Sequence, residues 1–255
     1  MISLIDKISP SEDFPMMIFE KEYELRAADF DRYDRIHPSS VLSLFQDVAG
    51  IHANALGIGY DALMAQKTIW VLTKVRYHMV GTPRRYETVR VRTWPLPPAR
   101  VNFRREYVME TPEGEVLIQG TSEWVVVHSE KRRVLPATDL YPGDDYCTDT
   151  YFEGRLAKVP VFAPCDEGRA VVTGFTQLDI NGHINNTCYA DFVMDALSPA
   201  ADTAVTGLQI DYHRELMAGQ AVRLYLGGDE GGTLACAYAA DGECMFACRV
   251  VLEDA

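Results

Sequence analysis

The chain has 255 residues, of which 47% are hydrophobic and 24% charged, and its formal net charge is −13. These fractions are those of an ordinary globular protein with room for one large or two modest domains. The negative charge argues against nonspecific nucleic-acid binding, which needs an excess of Lys and Arg. No apolar run approaches the roughly 20 residues that cross a bilayer, and residues 1–12 lack a leader pattern. We therefore expect a soluble, cytoplasmic protein.

The charge is unevenly distributed along the chain. Residues 67–133 contain 13 Lys or Arg, 7 Glu and no Asp, which gives a local charge of +6. A basic segment on an acidic protein is typical of a docking face for an anionic partner. Charges that alternate along exposed strands would give the same count, so both interpretations stay open.

Cysteine spacing gives no sign of a disulfide framework or a metal site, so we expect reduced thiols. The closest pair, Cys244 and Cys248, is expected to consist of small apolar residues in a strand, because zinc would need further Cys or His nearby. The six cysteines are Cys147, Cys165, Cys188, Cys236, Cys244 and Cys248.

The first half predicts a strand, a helix and then a series of strands. The strand covers residues 19–26, and a helix over 39–56 follows from apolar residues at spacings of three and four. Pro38 and two serines form a plausible helix start. A shorter helical piece is expected at 59–66. The strands that follow are predicted at 69–79, 87–95, 101–110 and 116–128, with a turn at 111–114.

The second half repeats this order. A strand at 170–176 leads through a polar segment into a helix at 186–197, and Asp241-Gly242 is a hairpin turn between the last two strands. The four strands after the helix are predicted at 205–215, 221–227, 233–239 and 243–252. Residues 134–164 are rich in Pro, Gly, Asp and Tyr and show no clear period, so the linker is placed there.

One long helix for each antiparallel sheet predicts an α+β fold in which each sheet curls around a central helix. This is the hot-dog architecture, and two copies in tandem let the sheets pair edge to edge, which covers their exposed edges. The predicted parts are an N-terminal hot-dog domain at 1–140, a linker at 141–160 and a C-terminal hot-dog domain at 161–255.

The polar segment before the second helix is Asp179-Ile-Asn-Gly-His-Ile-Asn-Asn186. Alternate residues of an extended segment point the same way, so Asp179, Asn181 and His183 can converge on one pocket. A carboxylate, an amide and an imidazole are the polar groups of an acyl-transfer site. The first half has a fainter version at residues 29–37, which lacks the Asn and Gly and is interpreted as a structural remnant with helix-capping value.

Further motifs accompany this segment in order along the chain. They are Phe45-Gln-Asp-Val-Ala49, Trp70-Val-Leu-Thr-Lys74, Asn102-Phe-Arg-Arg105, Glu123-Trp-Val with Arg132-Arg133, and Asp211-Tyr-His-Arg-Glu215. With them, the chain resembles the acyl-acyl carrier protein thioesterases of plants and bacteria, which are double hot-dog proteins. The resemblance covers most of the length, and the Asp179–Asn186 segment with Tyr212 and Glu215 is its most specific part.

The resemblance implies hydrolysis of the thioester between a fatty acyl chain and the phosphopantetheine arm of acyl carrier protein, without a cofactor or metal. It implies that Asp179, Asn181, His183 and Glu215 are catalytic and that the first domain shapes the acyl pocket. Plant members have a cysteine directly after the Glu. Here that residue is Leu216, which excludes a papain-like mechanism at this position.

The carrier protein is itself acidic in this family, so the basic segment supplies candidates for docking it. These are Arg84, Arg85, Arg104, Arg105, Arg132 and Arg133. An acyl-coenzyme A thioesterase, a hot-dog dehydratase and a noncatalytic acyl-binding module remain alternatives. Acyl chain length, saturation and oligomeric state, including a homodimer, stay open.

Two chemical routes are compatible with these residues. Water directed by His183 and Glu215 can attack the thioester, or Asp179 can attack it and form an acyl-enzyme anhydride. In either route the backbone N–H groups after Asn185, at the start of the helix, are candidate donors to the oxyanion.

Overall fold

The computed structural model describes residues 17–137, 140–141, 145–164 and 167–255. The predictions about a leader at residues 1–12 and about the thiol of Cys165 lie outside these residues. Within them, eleven strands form one antiparallel sheet in the order β1-β3-β4-β5-β2-β8-β11-β10-β9-β7, and the short β6 pairs with β5. The strands are β1 Phe19–Glu24, β2 Thr68–Met79, β3 Thr88–Pro95, β4 Phe103–Glu110, β5 Val116–His128, β6 Arg133–Val134, β7 Arg169–Val172, β8 Thr203–Tyr212, β9 Ala221–Asp229, β10 Gly232–Ala239 and β11 Cys244–Asp254.

The two halves of the chain form equivalent halves of this sheet. Five strands of the first half and five of the second follow the same internal order, and they meet where β2 pairs with β8. This edge-to-edge pairing is the arrangement predicted from the repeat, and it removes two edges that would otherwise carry unpaired backbone groups.

Two long helices pack on the inner face of the sheet. The first, α1, is Pro38–Ala55, and a short α2 follows at Tyr60–Ala65. The apolar residues of α1 at spacings of three and four are all buried, as predicted. The helix ends before Gly57, whose φ of +73° suits the left-handed conformation that commonly follows a helix.

The equivalent helix of the second half, α3, is Cys188–Leu197. It begins two residues later than predicted, since Asn186 and Thr187 still belong to the preceding turn. It contacts α1 and packs against β9. Side chains of α1, α3 and both halves of the sheet share one large hydrophobic core, so the two halves pack together.

The described part of the linker, residues 145–164, crosses the face of the sheet opposite the helices, and we call it the strap. Three buried carboxylates accept its backbone N–H groups. Glu106 of β4 accepts from Tyr151 at 3.0 Å, Glu123 of β5 from Leu156 at 3.0 Å, and Asp211 of β8 from Val159 at 3.0 Å. The linker is therefore fixed across both halves, and the domain boundaries within it stay a prediction.

Candidate active site

The Asp179–Asn186 segment forms a tight loop closed by a single bridge between Leu178 and Ile184. Asp179 Oδ1 accepts the backbone N–H groups of Asn181 at 2.8 Å and His183 at 3.1 Å. The backbone N–H of Asp179 donates to the His183 carbonyl at 2.7 Å. Gly182 lies at the turn with a φ of +76°, which a residue with a Cβ rarely adopts. The carboxylate of Asp179 thus shapes the loop that presents His183.

His183 and Glu215 are brought together from separate parts of the second half. Nε2 of the imidazole lies 3.5 Å from Glu215 Oε2, and the side chains are 24% and 31% exposed. The two groups are close enough for one water molecule beside them to contact both, and their partial exposure gives water access to them.

Glu215 follows β8 in a loop, whereas the sequence predicted it at the end of the strand. The loop is held against α3 and the Asp179–Asn186 segment by hydrogen bonds on either side of Glu215. Leu216 donates its N–H to Tyr189 Oη at 3.1 Å and accepts from the Ile184 N–H at 2.8 Å. Tyr212 Oη donates to the Asn186 carbonyl at 2.9 Å. Burial raises the pKa of Tyr189 to about 12, so its hydroxyl stays neutral.

A second contact of Glu215 was not predicted from the sequence. Arg132, which follows β5 in the first half, forms an ion pair with the Glu215 carboxylate. The pair joins the two halves of the chain at the site. The Arg132-Arg133 motif is the sequence signal for this contact, but the resemblance and the local charge assign it to the family pattern and to docking, not to Glu215.

One cavity of about 990 Å³ reaches this site and extends between the helices and the sheet of the first half. Its wall includes all four predicted catalytic residues, so the structure brings Asp179, Asn181, His183 and Glu215 together. Asn181 is exposed and its Nδ2 donates to Asp179 Oδ2 at 3.3 Å. The rest of the wall is largely apolar, with Ile58, Leu63, Trp70, Leu72, Phe103 and Trp124.

The backbone after Asn185 supplies fewer oxyanion donors than expected. The N–H of Thr187 donates to Asn185 Oδ1 at 3.0 Å and that of Cys188 to the Asn185 carbonyl at 3.0 Å. Within the described residues, the N–H of Asn186 has no acceptor, and Asn186 lines the cavity. Asn186 is therefore a candidate donor to the oxyanion.

Two of the six predicted docking arginines do not belong to a docking surface. Arg104 is covered by the strap, where it bonds to Glu106 at 2.8 Å and Thr150 at 2.9 Å, and its side chain is 13% exposed. Arg105 is 6% exposed and faces the cavity. Adjacent residues of a strand point to opposite faces of the sheet. The strap covers one face of β4 and the helices cover the other, so neither guanidinium lies on the outer surface of the protein.

The other four arginines are exposed. Arg85 forms an ion pair with Asp34, and Arg132 pairs with Glu215 as described above. For Arg84 and Arg133 no ion pair is found with any residue that the structure describes. The docking role of these four stays a prediction.

No cluster of His, Cys, Asp or Glu in the described ranges has the arrangement of a metal site. No helix there is long and apolar enough to cross a membrane. Cys244 and Cys248 both lie in β11, and the thiol of Cys248 is fully buried in the core.

The chain was compared with known proteins. Residues 16–141 match the model of the acyl-ACP thioesterase N-terminal domain, and residues 169–243 match that of the C-terminal domain. The oleoyl-acyl carrier protein thioesterases 1 and 2 of Arabidopsis thaliana, both chloroplastic, are 24% and 27% identical over 220 and 199 residues. These alignments cover 77% and 69% of this chain but 60% and 53% of the relatives, so the chain spans little more than half of their length.

Solved structures resemble the whole fold. An acyl-ACP thioesterase from Bacteroides thetaiotaomicron superposes with a TM-score of 0.84 at 20% identity, over 93% of this chain and 98% of that one. A 12:0-ACP thioesterase from Umbellularia californica gives 0.80 at 18% identity, over 94% and 98%. At these identities the likeness concerns the fold, and the predicted α+β double hot-dog fold is confirmed.

Proposed function

Because the chain belongs to the acyl-ACP thioesterase family, we propose that it hydrolyses the thioester of a fatty acyl chain on acyl carrier protein and releases the free fatty acid. The observation that carries this proposal is the His183–Glu215 pair in the wall of a large, mostly apolar cavity. Such a cavity suits an acyl chain, and the pair supplies proton transfer where the cavity meets solvent.

The proposed nucleophile is a water molecule bound beside His183 and Glu215. Its oxygen attacks the thioester carbonyl carbon while one of its protons passes to the His183–Glu215 pair. The N–H of Asn186 donates to the oxygen that becomes negative. The carbon–sulfur bond then breaks, and the pair returns the proton to the pantetheine sulfur. Water is consumed, and an acid and a thiol are produced.

The loop geometry favours this route over attack by Asp179. One oxygen of Asp179 accepts two backbone N–H groups and the other accepts the Asn181 amide. A carboxylate held by three donors is a weaker nucleophile, because those bonds stabilise its charge before the attack.

A single turnover in ¹⁸O-labelled water tests the route, with enzyme in excess over acyl carrier protein substrate. We expect the label in the released fatty acid and none in the protein. Label in the Asp179 carboxylate, with unlabelled acid released, would show that the anhydride route operates instead.

Acyl carrier protein rather than coenzyme A is proposed as the carrier because exposed basic residues occur near the cavity mouth. Arg132 lies in the cavity wall, and Arg133 and Lys131 beside it are also exposed. An acidic carrier protein would be attracted to them, and the attraction would weaken with salt.

Matched acyl chains on the two carriers separate these substrates. We expect a higher kcat/KM for the carrier protein, with the difference shrinking as salt increases. Equal rates on coenzyme A, unaffected by salt, would favour the acyl-coenzyme A thioesterase. A cytoplasmic location and a homodimer remain predictions of the sequence.

A further inference from the structure

A groove of about 390 Å³ lies between α1 and the loop that precedes α3, and we call it the α1 groove. Its residues on α1 are three or four positions apart, which places them in one row along the exposed side of the helix. The α1 groove and the large cavity are continuous, because they share the lining residues Gln46, Gly50, Asn54 and Asn185. Asn185 precedes Asn186, the candidate oxyanion donor. The two spaces therefore meet beside the position proposed for the thioester.

The lining of the α1 groove is polar and has no positive charge among the described residues. Side-chain amides and hydroxyls come from Gln46, Asn54, Asn185, Ser43 and Thr187. The charged member is Asp47, whose carboxylate pairs with Lys21 at 2.8 Å and accepts from the Tyr23 hydroxyl at 2.8 Å. An anionic ligand would find no cation in this lining. A neutral ligand with N–H and C=O groups would find partners for both.

The amides of the α1 groove have hydrogen-bonding groups to offer to a ligand. In the ranges that the structure describes, the side chains of Gln46 and Asn54 form no hydrogen bond with another residue. Asn185 Oδ1 accepts the backbone N–H of Thr187 at 3.0 Å and its hydroxyl at 3.1 Å. Because Oδ1 is already occupied, Asn185 has its Nδ2 donor for a ligand.

Gly50 lines the α1 groove from the interior of α1. A glycine at such a position destabilises a helix by about 1 kcal/mol relative to alanine. The fold gives no reason for it, because Gly50 is helical, without a positive φ, and a Cβ there would meet no atom within 4 Å. The missing side chain leaves the helix backbone open to the α1 groove, so a ligand can approach it closely.

The two spaces differ as the two sides of the proposed substrate differ. The largely apolar cavity suits the acyl chain. On the other side of the thioester sulfur is the pantetheine arm, which has two amides and a hydroxyl and carries no charge before its terminal phosphate. A site that cleaves the bond between these parts needs one channel for each, and the channels must meet at the reacting carbon.

We propose that the α1 groove binds the pantetheine arm. Its amides pair with those of Gln46, Asn54 and Asn185, and its chain passes over Gly50. This inference rests on the proposed hydrolysis and adds the binding site for the part of the substrate that acyl carrier protein and coenzyme A have in common.

The test measures binding without catalysis, with two thioethers of the same alkyl chain. One has pantetheine on its sulfur and the other a 2-hydroxyethyl group, and neither can be hydrolysed. By titration calorimetry of the intact protein, we expect the pantetheine thioether to bind about 10-fold tighter. Gly50→Leu fills the α1 groove and should lower this ratio to about 2-fold or less, and Gln46→Ala should lower it to about 3-fold. Ala55→Leu is the control, since this exposed residue of α1 lines neither space, and it should leave the ratio unchanged.

The outcomes separate this inference from the proposed function. Both thioethers have one alkyl chain, so a change in the acyl cavity cancels in the ratio. Equal binding of the two by the wild-type protein would overturn the role of the α1 groove, even if Gly50→Leu failed to fold. An unchanged ratio in folded Gly50→Leu and Gln46→Ala would overturn it as well. The hydrolysis of acyl carrier protein substrate is assayed in parallel. Hydrolysis without a pantetheine preference leaves the proposed function intact, and a binding preference without hydrolysis contradicts the proposed function alone.

Discussion

Asp31 and Asp179 make the same pair of backbone hydrogen bonds in the two halves of the chain. Asp31 Oδ1 accepts from Tyr33 at 2.7 Å and Arg35 at 3.0 Å, as Asp179 Oδ1 does from the residues two and four positions later. Both loops are closed by one bridge and turn at a residue with positive φ. Arg35 occupies the position in the first loop that His183 occupies in the second, so only the second loop carries an imidazole there.

This equivalence predicts the effect of replacing Asp179. Asp179→Asn keeps an oxygen that can accept the two N–H groups, so we expect kcat to fall by only about 10-fold. Asp179→Ala removes the acceptor and displaces His183, which should cost about 100-fold or more. The measurement is kcat on acyl carrier protein substrate.

Asp31→Ala is the matched control, because it opens the equivalent loop, which contains none of the predicted catalytic residues. It should destabilise the protein about as much as Asp179→Ala while kcat stays near wild type. If Asp179→Asn lost activity by a thousand-fold or more in a folded protein, attack by Asp179 would be favoured.

Arg132 is predicted to position Glu215. Replacing it by Gln releases the carboxylate from a fixed partner, so kcat should fall by about 10-fold, with KM changed less. Arg133→Gln is the control, since this exposed neighbour is not in contact with Glu215 in the described structure. A loss confined to KM in both variants would instead assign Arg132 to docking alone.

The fold could be predicted from the sequence because the spacing of apolar residues indicates which face of an element is buried. The apolar spacing from Val41 to His52 predicts the buried side of α1, and the strand-like runs after each helix, given twice along the chain, predict a paired sheet. The sequence could group those residues of the candidate site that are close together along the chain. Asp179, Asn181 and His183 belong to one loop, whose geometry depends on local hydrogen bonds and Gly182.

Contacts between residues that are far apart in the sequence could not be predicted in this way. Arg104 and Arg105 are adjacent and chemically identical, yet one is covered by the strap and the other faces the cavity. The basic count of residues 67–133 could not separate them, because the strap's path was unknown. The pairing of Arg132 with Glu215 likewise depends on how the two halves meet.

The contact between Asp211 and the strap is expected to stabilise the fold. Asp211 is 3% exposed, and Asp211→Ala would leave the Val159 N–H without its acceptor and remove the carboxylate 4.0 Å from Lys74 Nζ. We expect a loss of about 3 kcal/mol in the free energy of unfolding, measured with urea. Glu243→Ala breaks an exposed pair with Arg214 and should cost below about 1 kcal/mol. Equal losses would show that the strap is not anchored by Asp211.

Two glycines should respond in opposite directions to replacement by Ala. A Cβ at Gly120 would lie 2.2 Å from a ring carbon of Phe45, which is buried and stacked on Tyr107. Because the ring has no room to move, Gly120→Ala should destabilise by about 1–3 kcal/mol. A Cβ at Gly50, within α1, meets nothing within 4 Å, so Gly50→Ala should stabilise by up to about 1 kcal/mol. Thermal unfolding of both variants checks the signs, and a stabilised Gly120→Ala would contradict the packing of Phe45.

Asp29 predicts a dependence of stability on pH. The Arg26 side chain lowers the pKa of this carboxyl, and the Arg26 backbone N–H donates to it at 2.7 Å. Because the folded pKa is below the unfolded one, the charged form contributes stability above the unfolded pKa of about 3.9, and this stability is lost as the pH falls through the folded pKa.

At pH 7, Asp29→Asn should therefore reduce the free energy of unfolding by about 1 kcal/mol, a modest figure since Arg26 is 77% exposed. Urea unfolding should show this difference shrinking as the pH falls below about 4. Asp34→Asn, which breaks only an exposed pair with Arg85, is the control and should differ little from wild type in stability at either pH. If the stability difference between Asp29→Asn and wild type did not change with pH, the charge of Asp29 would not be what stabilises the turn.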